Sequence, residues 1–520
     1  MVRAHAPRQP SVLMTLLLDD IDVLATSGDP GHADVTGVEH DSRRVAPGTL
    51  FCCLVGGQTD GHDHVLEAVE RGAAGIVAER DVGPLPRDVV GVRIAPGTAR
   101  AAMARLAAAF YGYPAASLLL AGVTGTNGKT TVAHLLGAVL EHAGHPTTVI
   151  GTLTGSMTTP ESTDLQRAFA AARDASARAA RRDATTDARP AVAMEVSSHA
   201  LVQSRVDTVC FDVSVFTNLS HDHLDFHGSM ETYFEAKAML FEPERTRAAV
   251  VDADGPWGRR ILERTRVPAV AVSWTGVRDV RLGVGRSRFT WRGEEVVIPL
   301  TGLVNVSNAQ LAAEAAVVLG VPPAVVAEGL SSAQPVPGRM QVIDTGGLGF
   351  CVLVDYAHTP AALETVLAEA RRVAAKAGGR TIVVFGCGGD RDALKRPAMG
   401  AAAAEGADVV VVTSDNPRHE DPGRIIEEVL RGIAPPAKPL VEPDRRRAVE
   451  LAIRNARPGD VVVVAGKGHE SVQVVGDRRL PFDDRAVAAE VLSSLRSSAS
   501  SGGSPSDGAS SGGSSSDRGA

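Results

Sequence analysis

Short β-branched and aliphatic runs recur along this chain, and most give way to stretches whose apolar positions fall three and four residues apart. The run Ser117–Ala121 leads into a glycine-rich segment, Gly122–Thr131, after which Val132, Leu135, Leu136, Val139 and Leu140 mark one face of a helix. Further strand candidates are Thr147–Ile150, Ala191–Glu195, Phe211–Phe216, Ala248–Val251 and Val267–Val272. Strands spaced by helical patterns predict a mainly parallel sheet covered by helices. The pattern starts again near Gly338, with strand-like runs at Cys351–Val354, Thr381–Phe385, Asp408–Thr413 and Asp460–Ala465. Helical patterns at 360–375, 396–405, 422–432 and 445–456 separate them, which predicts a doubly wound α/β unit.

Ahead of both lie short strands in Gly48–Val55 and Ala74–Ala78 and an alanine-rich helix, Thr98–Phe110. Val280–Leu300 alternates apolar and polar residues in places and predicts a small antiparallel patch. The expectation is therefore an α/β chain of three domains, 1–112, 113–337 and 338–492. Between Ala170 and Pro190 the chain is Ala/Arg/Asp/Ser/Thr with no apolar period, so 171–189 reads as a solvated insertion or a ragged helix. From about Ser493 it turns Ser/Gly-rich, and 493–520 is expected to be a disordered tail.

The composition narrows the function classes. At 520 residues the chain exceeds what one core serves, and about 150 residues per domain suggests three. Hydrophobic residues at 44% and charged ones at 22% fit a soluble globular protein. The formal net charge of −8, with no basic stripe, argues against a nucleic-acid partner. No apolar run reaches the ~20 residues that span a bilayer, so no membrane role is expected. Met1–Pro10 is polar, and Val12–Leu18 is too short for the apolar core of a signal peptide. Five cysteines, at 52, 53, 210, 351 and 387, have neither metal-ligand nor disulfide-scaffold spacing, which fits reduced thiols in a cytoplasmic protein.

The glycine-rich segment carries the first chemistry. A strand, a turn containing Gly125, Thr126, Asn127 and Gly128, then Lys129, Thr130 and Thr131 opening a helix make a phosphate cradle. Backbone N–H groups and the positive helix end face the anion, Lys129 adds a point charge, and a threonine hydroxyl can hold Mg²⁺. A strict P-loop would carry glycine at 123, where this chain has Val123, so the segment is a variant. The competing reading is an ordinary glycine-rich strand–helix turn. Glu195 ends the apolar run in Met194-Glu-Val-Ser-Ser-His199, where a carboxylate either meets a Mg²⁺ near Thr130 or pairs with a nearby base. Thr217-Asn-Leu-Ser-His-Asp-His-Leu-Asp225 then packs His221, Asp222, His223 and Asp225 past another strand, with His227 close behind. The histidine spacing fits no common zinc pattern, so hard-cation or phosphate work suits it better. Lys237 follows on a helical pattern, Met230–Leu240.

These motifs, with Asp355-Tyr-Ala-His-Thr-Pro360 and Gly466-Lys-Gly-His-Glu470, stand in the order seen in the Mur ligases, and the chain resembles that family from about Asp41 to Glu470. The resemblance implies a small N-terminal α/β uridine-nucleotide domain, a central P-loop ATPase domain with a parallel sheet and a C-terminal doubly wound, Rossmann-like domain. It also implies an ATP-dependent, amide-forming ligase of peptidoglycan precursor synthesis. In that family a substrate carboxylate attacks the ATP γ-phosphate, and an amine attacks the resulting acyl phosphate with loss of phosphate. By resemblance Lys129, Glu195, His223 and Lys237 are catalytic, Thr130 and Glu195 take one Mg²⁺, and His223 and Lys237 address a second, the lysine as its carbamate. The loop residues 125–131, Asn305, Asn308, Arg339, Asp355 and His358 match ATP contacts.

Family members carrying Asp-Asn-Pro-Arg resemble the type that adds meso-diaminopimelate as the third peptide residue, and Asp415-Asn416-Pro417-Arg418 stands here. Arg391, Gly466 and Glu470 complete that pocket by resemblance. A guanidinium offers bidentate donors to the distal carboxylate that lysine lacks. Ser42, Thr158, Thr159, Ser197, Gln203 and Arg205 match the positions that hold UDP-MurNAc-L-Ala-D-Glu. Met157 replaces an asparagine of some members, so no contact carries over there. The expected partners are these small molecules and ATP, and a monomer is expected. The rivals are an L-lysine-adding relative, a folylpolyglutamate-synthetase-like ligase and, from another class, an ATP-hydrolysing regulator that ligates nothing.

Overall fold

The strand Thr49–Cys52 is buried along its whole length, and its side chains alternate between two cores. Leu50 and Cys52 join Met14, Leu17, Val38 and Leu106 on one face, while Phe51 joins Val65, Ala68 and Ile76 on the other. The computed structural model describes residues 11–57, 59–155, 157–182 and 188–501. Its first sheet runs in the order Val23–Ser27, Val90–Ile94, Gly75–Ala78, Thr49–Cys52, Gly37–Glu39. Only the Val23–Ser27 edge is antiparallel. That edge was not legible as a strand, because four of its five residues are exposed and carry no core pattern.

The central sheet is parallel throughout, ordered Ala269–Val272, Ala249–Asp252, Val213–Phe216, Leu119–Thr124, Ala191–Glu195, Thr147–Ile150. Both faces are covered, as continuous apolar strands require. Ala121, Val123, Ala191 and Ala193 pack with Leu135, Leu136 and Val139 of the helix Lys129–His142 and with Val306 and Leu311 of the helix Leu303–Val318. Leu120, Val192 and Met194 turn the other way, onto Leu165, Phe169, Tyr233 and Phe234. The strand expected from Phe211 begins at Val213, because Phe211 makes only an isolated bridge to Thr246. Val277–Gly283, Arg286–Trp291 and Glu294–Ile298 form the expected antiparallel patch, whose Phe289, Trp291, Val296 and Ile298 enter the first of these cores.

These two sheets belong to one contact unit that ends at Gln341, and a second unit begins at Val342. Arg44 pairs with Asp164, and Arg167 with Glu39, tying the first domain to the central one. The second unit holds parallel strands in the order Cys351–Asp355, Val461–Ala465, Thr381–Phe385, Val409–Val412, Leu440–Val441. All three domains are α/β. All five cysteines are free, and burial pushes the Cys53 and Cys387 thiols up to about 12. No described helix is long and apolar enough to cross a membrane.

Of the two readings of 171–189 the helical one holds as far as the segment is described, and one boundary is corrected. The segment 171–189 is, as far as Arg182, the second half of a continuous helix, Ser162–Arg182, anchored by Leu165 and Phe169; 183–187 lie outside the described residues. Alanine and arginine are good helix formers, so the helix propagates beyond its apolar anchor. The tail does not begin at Ser493. A helix spans Asp484–Ser501, with Val487, Ala488, Val491 and Leu492 buried and Leu495 packed on the same core; 502–520 lie outside the described residues. Serine-rich composition hid that helical spacing.

The same helix opens on a fully buried ion pair, Asp484 with Arg445 at 2.7 Å. Removing one partner leaves an uncompensated buried charge. Asp484→Ala is expected to destabilise the second unit by about 3–5 kcal/mol, read as a lower urea midpoint. A midpoint equal to that of the unsubstituted protein would contradict the assignment.

Candidate functional site

In the first unit, the register Glu195–Val123 and Phe216–Thr124 brings three strand ends level at the carboxyl edge of the central sheet. Ligands of parallel α/β sheets sit at such an edge. The turn after Thr124 is shaped by close packing. Gly125 has φ +148°, and a Cβ there would lie 1.9 Å from Thr217 Oγ1, so no other residue fits. The segment 217–220 braces the loop. Thr217 Oγ1 donates to the Asn127 carbonyl, the Thr126 N–H to the Asn218 carbonyl, the Asn127 N–H to Asn218 Oδ1 and the Ser220 N–H to Thr126 Oγ1. The sequence motif assigns no role to Thr217, Asn218 and Ser220; in the structure they fix the backbone of the loop.

Two ammonium groups converge on this loop. Lys129 Nζ donates to the carbonyls of Gly125 and Thr126, and Lys237 Nζ donates to that of Gly125, each at 2.9 Å. Burial pushes both pKa values down; the positive charge of Lys129 adds to the effect at Lys237, while Arg339 adds to it at Lys129. Lys237 projects from the helix Met230–Ala238 and lies 4.6 Å from the centre of the Tyr233 ring. Glu195, 1% exposed, accepts from Thr130 Oγ1 at 3.0 Å and from the Thr152 N–H at 2.8 Å. Arg339 donates to Thr130 Oγ1 at 2.9 Å. Thr130, Glu195, Lys129, Lys237 and Arg339 thus surround one short loop.

His223 stands near them with φ +53° and Nε2 3.4 Å from Asp222 Oδ2. Burial pulls its pKa down to about 4, against the pull of Asp222. His227 goes elsewhere, into a buried contact with Ser198 Oγ, and His221 is exposed. Among the described residues no three His, Cys, Asp or Glu side chains gather as a metal-holding group, so the dense histidine motif is not itself a cluster. Asn305 and Asn308 share the helix Leu303–Val318, Asn308 Nδ2 donating to Asn305 Oδ1, and Asn308 Oδ1 lies against Gly128.

Thr158, Thr159, Ser197, Gln203 and Arg205 collect around the end of the strand Ala191–Glu195. Thr158 Oγ1 meets Thr152 Oγ1, and Thr159, fully buried, donates to the Glu195 carbonyl and accepts from the Ser197 N–H. Arg205 donates to Gln203 Oε1 and to the Thr159 carbonyl and pairs with Glu161 at 2.8 Å. Ser42 lies in the first domain, donating to Glu67 Oε2.

The second unit holds another constellation. Asp355 ends the strand Cys351–Asp355 and accepts from the Ala357 N–H, and His358 Nδ1 donates to the Tyr356 carbonyl. The motif Asp415–Arg418 runs against a hairpin, Val472–Val475 with Arg478–Pro481, which the sequence did not reveal. The Arg418 N–H donates to the Val474 carbonyl, and the Arg418 carbonyl accepts from Gly476. Gly466, φ +113°, comes so close to Asp415 that a Cβ would lie 2.7 Å from its Oδ2. Arg418 and Arg391 both flank Gly388; burial, then the charge of Arg391, lowers the Arg418 pKa. Asn416 Nδ2 donates to Glu470 Oε2 at 2.8 Å. Burial pushes the Glu470 carboxyl up, but Lys467 and the hydrogen bonds from Lys467 and Asn416 outweigh it and leave it below the usual range. Two guanidiniums and a carboxylate in one pocket suit a zwitterionic ligand.

Family models match most of the chain: one described as Mur ligase family, catalytic domain, over 34–111; Mur ligase middle domain, over 123–316; and Mur ligase, glutamate ligase domain, over 338–468. A Solibacter usitatus protein named UDP-N-acetylmuramoyl-L-alanyl-D-glutamate–2,6-diaminopimelate ligase is 43% identical over 486 residues, 88% of this chain and 94% of its own. The Streptomyces coelicolor protein of that name is 42% identical over 518 residues, 94% and 98% of the two chains. A solved structure of a ligase so named superposes with a TM-score of 0.61 at 29% identity, covering 94% of this chain and all of the other.

At the rim of the second constellation, His419 bridges Asp390 (Nδ1, 2.9 Å) and Asp477 (Nε2, 3.2 Å). These hydrogen bonds, that to Asp390 first, raise the His419 pKa. The clasp is therefore complete below the ordinary histidine value and is lost as pH rises through the raised one. NMR titration is expected to place the His419 midpoint above that of a free histidine, and Asp390→Asn to lower it. A midpoint at or below the free value would show that no clasp exists in solution.

Proposed function

The chain belongs to the Mur ligase family, and on that premise we propose that it joins meso-2,6-diaminopimelate to UDP-N-acetylmuramoyl-L-alanyl-D-glutamate with hydrolysis of ATP to ADP and phosphate. The observation that carries the reading is the convergence of Lys129, Thr130, Glu195 and Lys237 on the loop after Thr124. Activating a carboxylate with ATP brings two anions together, so the site has to supply cations: Lys129 directly, and metal ions that oxygen donors such as Thr130 and Glu195 would hold.

The residues fit Mg²⁺. Thr130 Oγ1 and Glu195 Oε2 are hard oxygen donors held 3.0 Å apart. These two would hold one ion, and His223 with Lys237 a second, Lys237 as its carbamate because a bare ammonium repels a cation. When bound, the ions offset the charge of the phosphate oxygens. Lys129 exchanges the carbonyls of Gly125 and Thr126 for a phosphate oxygen, and the loop N–H groups hold the phosphates in line. Asn305 and Asn308 bind toward the adenine.

Arg205, with Gln203 and the Thr158–Thr159 pair, orients the dipeptide so that its γ-carboxylate attacks the terminal phosphorus. Glu161 keeps the Arg205 guanidinium from swinging away. Arg391 and Arg418 take carboxylates of diaminopimelate and Glu470 an ammonium. The free amine attacks the acyl phosphate, and the tetrahedral adduct expels phosphate. A cytoplasmic monomer working on small molecules completes the reading.

Phosphate release is expected only when the UDP-dipeptide and meso-diaminopimelate are both present, with L-lysine, L-ornithine and D-glutamate far poorer acceptors. Equal rates with lysine would overturn the choice of amino acid. Arg418→Ala is expected to raise KM for diaminopimelate by about 30-fold or more while leaving KM for ATP nearly unchanged, the cost of stranding a carboxylate. A uniform loss for all three substrates would remove Arg418 from the pocket.

A further inference from the structure

Lys467 lies between two glycines in Gly466-Lys-Gly468, and its side chain is 0% exposed. It follows the strand Val461–Ala465 by two residues, and its side chain reaches Asn416 and Glu470. Its ammonium has three acceptors: Glu470 Oε2 at 2.9 Å, Asn416 Oδ1 at 3.2 Å and the Val472 carbonyl at 2.6 Å. Asn416 closes the ring by donating Nδ2 to the same Glu470 Oε2 and accepting the Val474 N–H at Oδ1. Every donor of the ammonium is thus used, and two of its three acceptors are side chains of the amino-acid pocket.

A buried ammonium is a poor device for stability alone. Desolvating it costs several kcal/mol, and well-packed apolar residues often serve a fold as well or better. What the charge does provide is a fixed direction for its acceptors. Glu470 Oε2 is saturated by Lys467 and Asn416, while among the described residues no hydrogen bond reaches Oε1, on a side chain 30% exposed. The carboxylate is clamped by one oxygen and offers the other outward.

We infer that Lys467 is the positioning residue of the amino-acid pocket, locking Glu470 and Asn416 so that Glu470 Oε1 meets the ammonium of the incoming amino acid. The inference rests on the functional reading above and names how its acceptor pocket is held. Lys467 does not touch the substrate. It keeps Glu470 ionised and in one rotamer, and it links the pocket to the hairpin through the Val472 carbonyl. Glu470 then need not be ordered at the moment of binding, which is where preorganisation gains affinity.

The test is steady-state phosphate release by the full chain with three variants: Lys467→Met, Glu470→Gln and the double. Lys467→Met is expected to raise KM for meso-diaminopimelate about tenfold or more, with KM for ATP and for the UDP-dipeptide within about twofold. The acid limb of kcat/KM for diaminopimelate should move to higher pH, because the largest charge holding the Glu470 carboxyl down is gone, while His469, Arg418 and Arg445 still face it. The double variant should be no worse than the worse single one, since Lys467 acts through Glu470. Should Lys467→Met fail to fold, Lys467→Gln, which keeps a donor and drops the charge, carries the same pH readout. Equal rises in all three KM values, an unmoved acid limb or multiplicative single effects would overturn the inference while leaving the function standing. An unsubstituted enzyme whose phosphate release ignores diaminopimelate would overturn the functional reading, and this inference with it.

Discussion

Lys129 and Lys237 donate to one backbone oxygen, the carbonyl of Gly125, so two ammonium groups lie within about 6 Å of each other in a largely buried site. At an effective dielectric near 20, like charges at that distance repel by on the order of 3 kcal/mol. The fold tolerates this because the Gly125 carbonyl takes both donors and Glu195 and Asp222 stand nearby. On the proposed function, arrival of a phosphate, or conversion of Lys237 to an anionic carbamate, would relieve it further. The rest of the first unit serves to keep that arrangement from relaxing.

It does so through rigidity at the strand ends. Parallel register sets Glu195 beside Val123 and Phe216 beside Thr124, so the loop, the acidic strand end and the segment 217–220 emerge together. Thr217 and Asn218 then spend their polar atoms on loop backbone, which fixes the turn before any ligand is present. Tyr233 bridges the two halves, its hydroxyl 3.3 Å from Thr126 Oγ1 and its ring facing Lys237 and stacked on His227. A site assembled from separate segments but braced at each join needs little rearrangement to act as an electrostatic trap.

The parts of this design with local signatures were legible in the sequence. Thr147–Ile150, Ala191–Glu195 and Thr381–Phe385 are strands at those residues, because unbroken apolar runs between helical patterns allow few alternatives. The glycine-rich turn was legible because its glycines, lysine and threonines are adjacent in the chain. What escaped was long-range or compositionally masked. No local pattern shows that Lys467 reaches Asn416, 51 residues away, or that the Arg418 backbone adds to the hairpin at Val474. The Val23–Ser27 edge is mostly exposed, and the serines of 493–501 concealed a helical face whose anchors, Val487 to Leu495, are spaced for burial. Residue identity told that Glu195 could hold a metal. Only the contacts tell that Thr130 and Thr152 fix the Glu195 carboxylate and that Arg339 reaches Thr130.

The second unit solves the opposite electrostatic problem. On the proposed function the second unit takes a diamino diacid, which carries no net charge, so its pocket cannot select by overall potential and has to place each charge. Arg391 and Arg418, both against Gly388, concentrate positive charge on one side; Glu470 supplies the negative point on the other. Such a pocket works only if its own charges do not collapse onto one another. The positions of the backbone answer that: the Arg418 N–H and carbonyl are tied to Val474 and Gly476, and its NH1 to the Gly389 carbonyl, so its guanidinium is held on the loop side. Glu470 is held on the other side by Lys467 and Asn416. Holding the guanidiniums and the carboxylate in separate places lets the pocket read a pattern of charge where a flexible site would read only its sum.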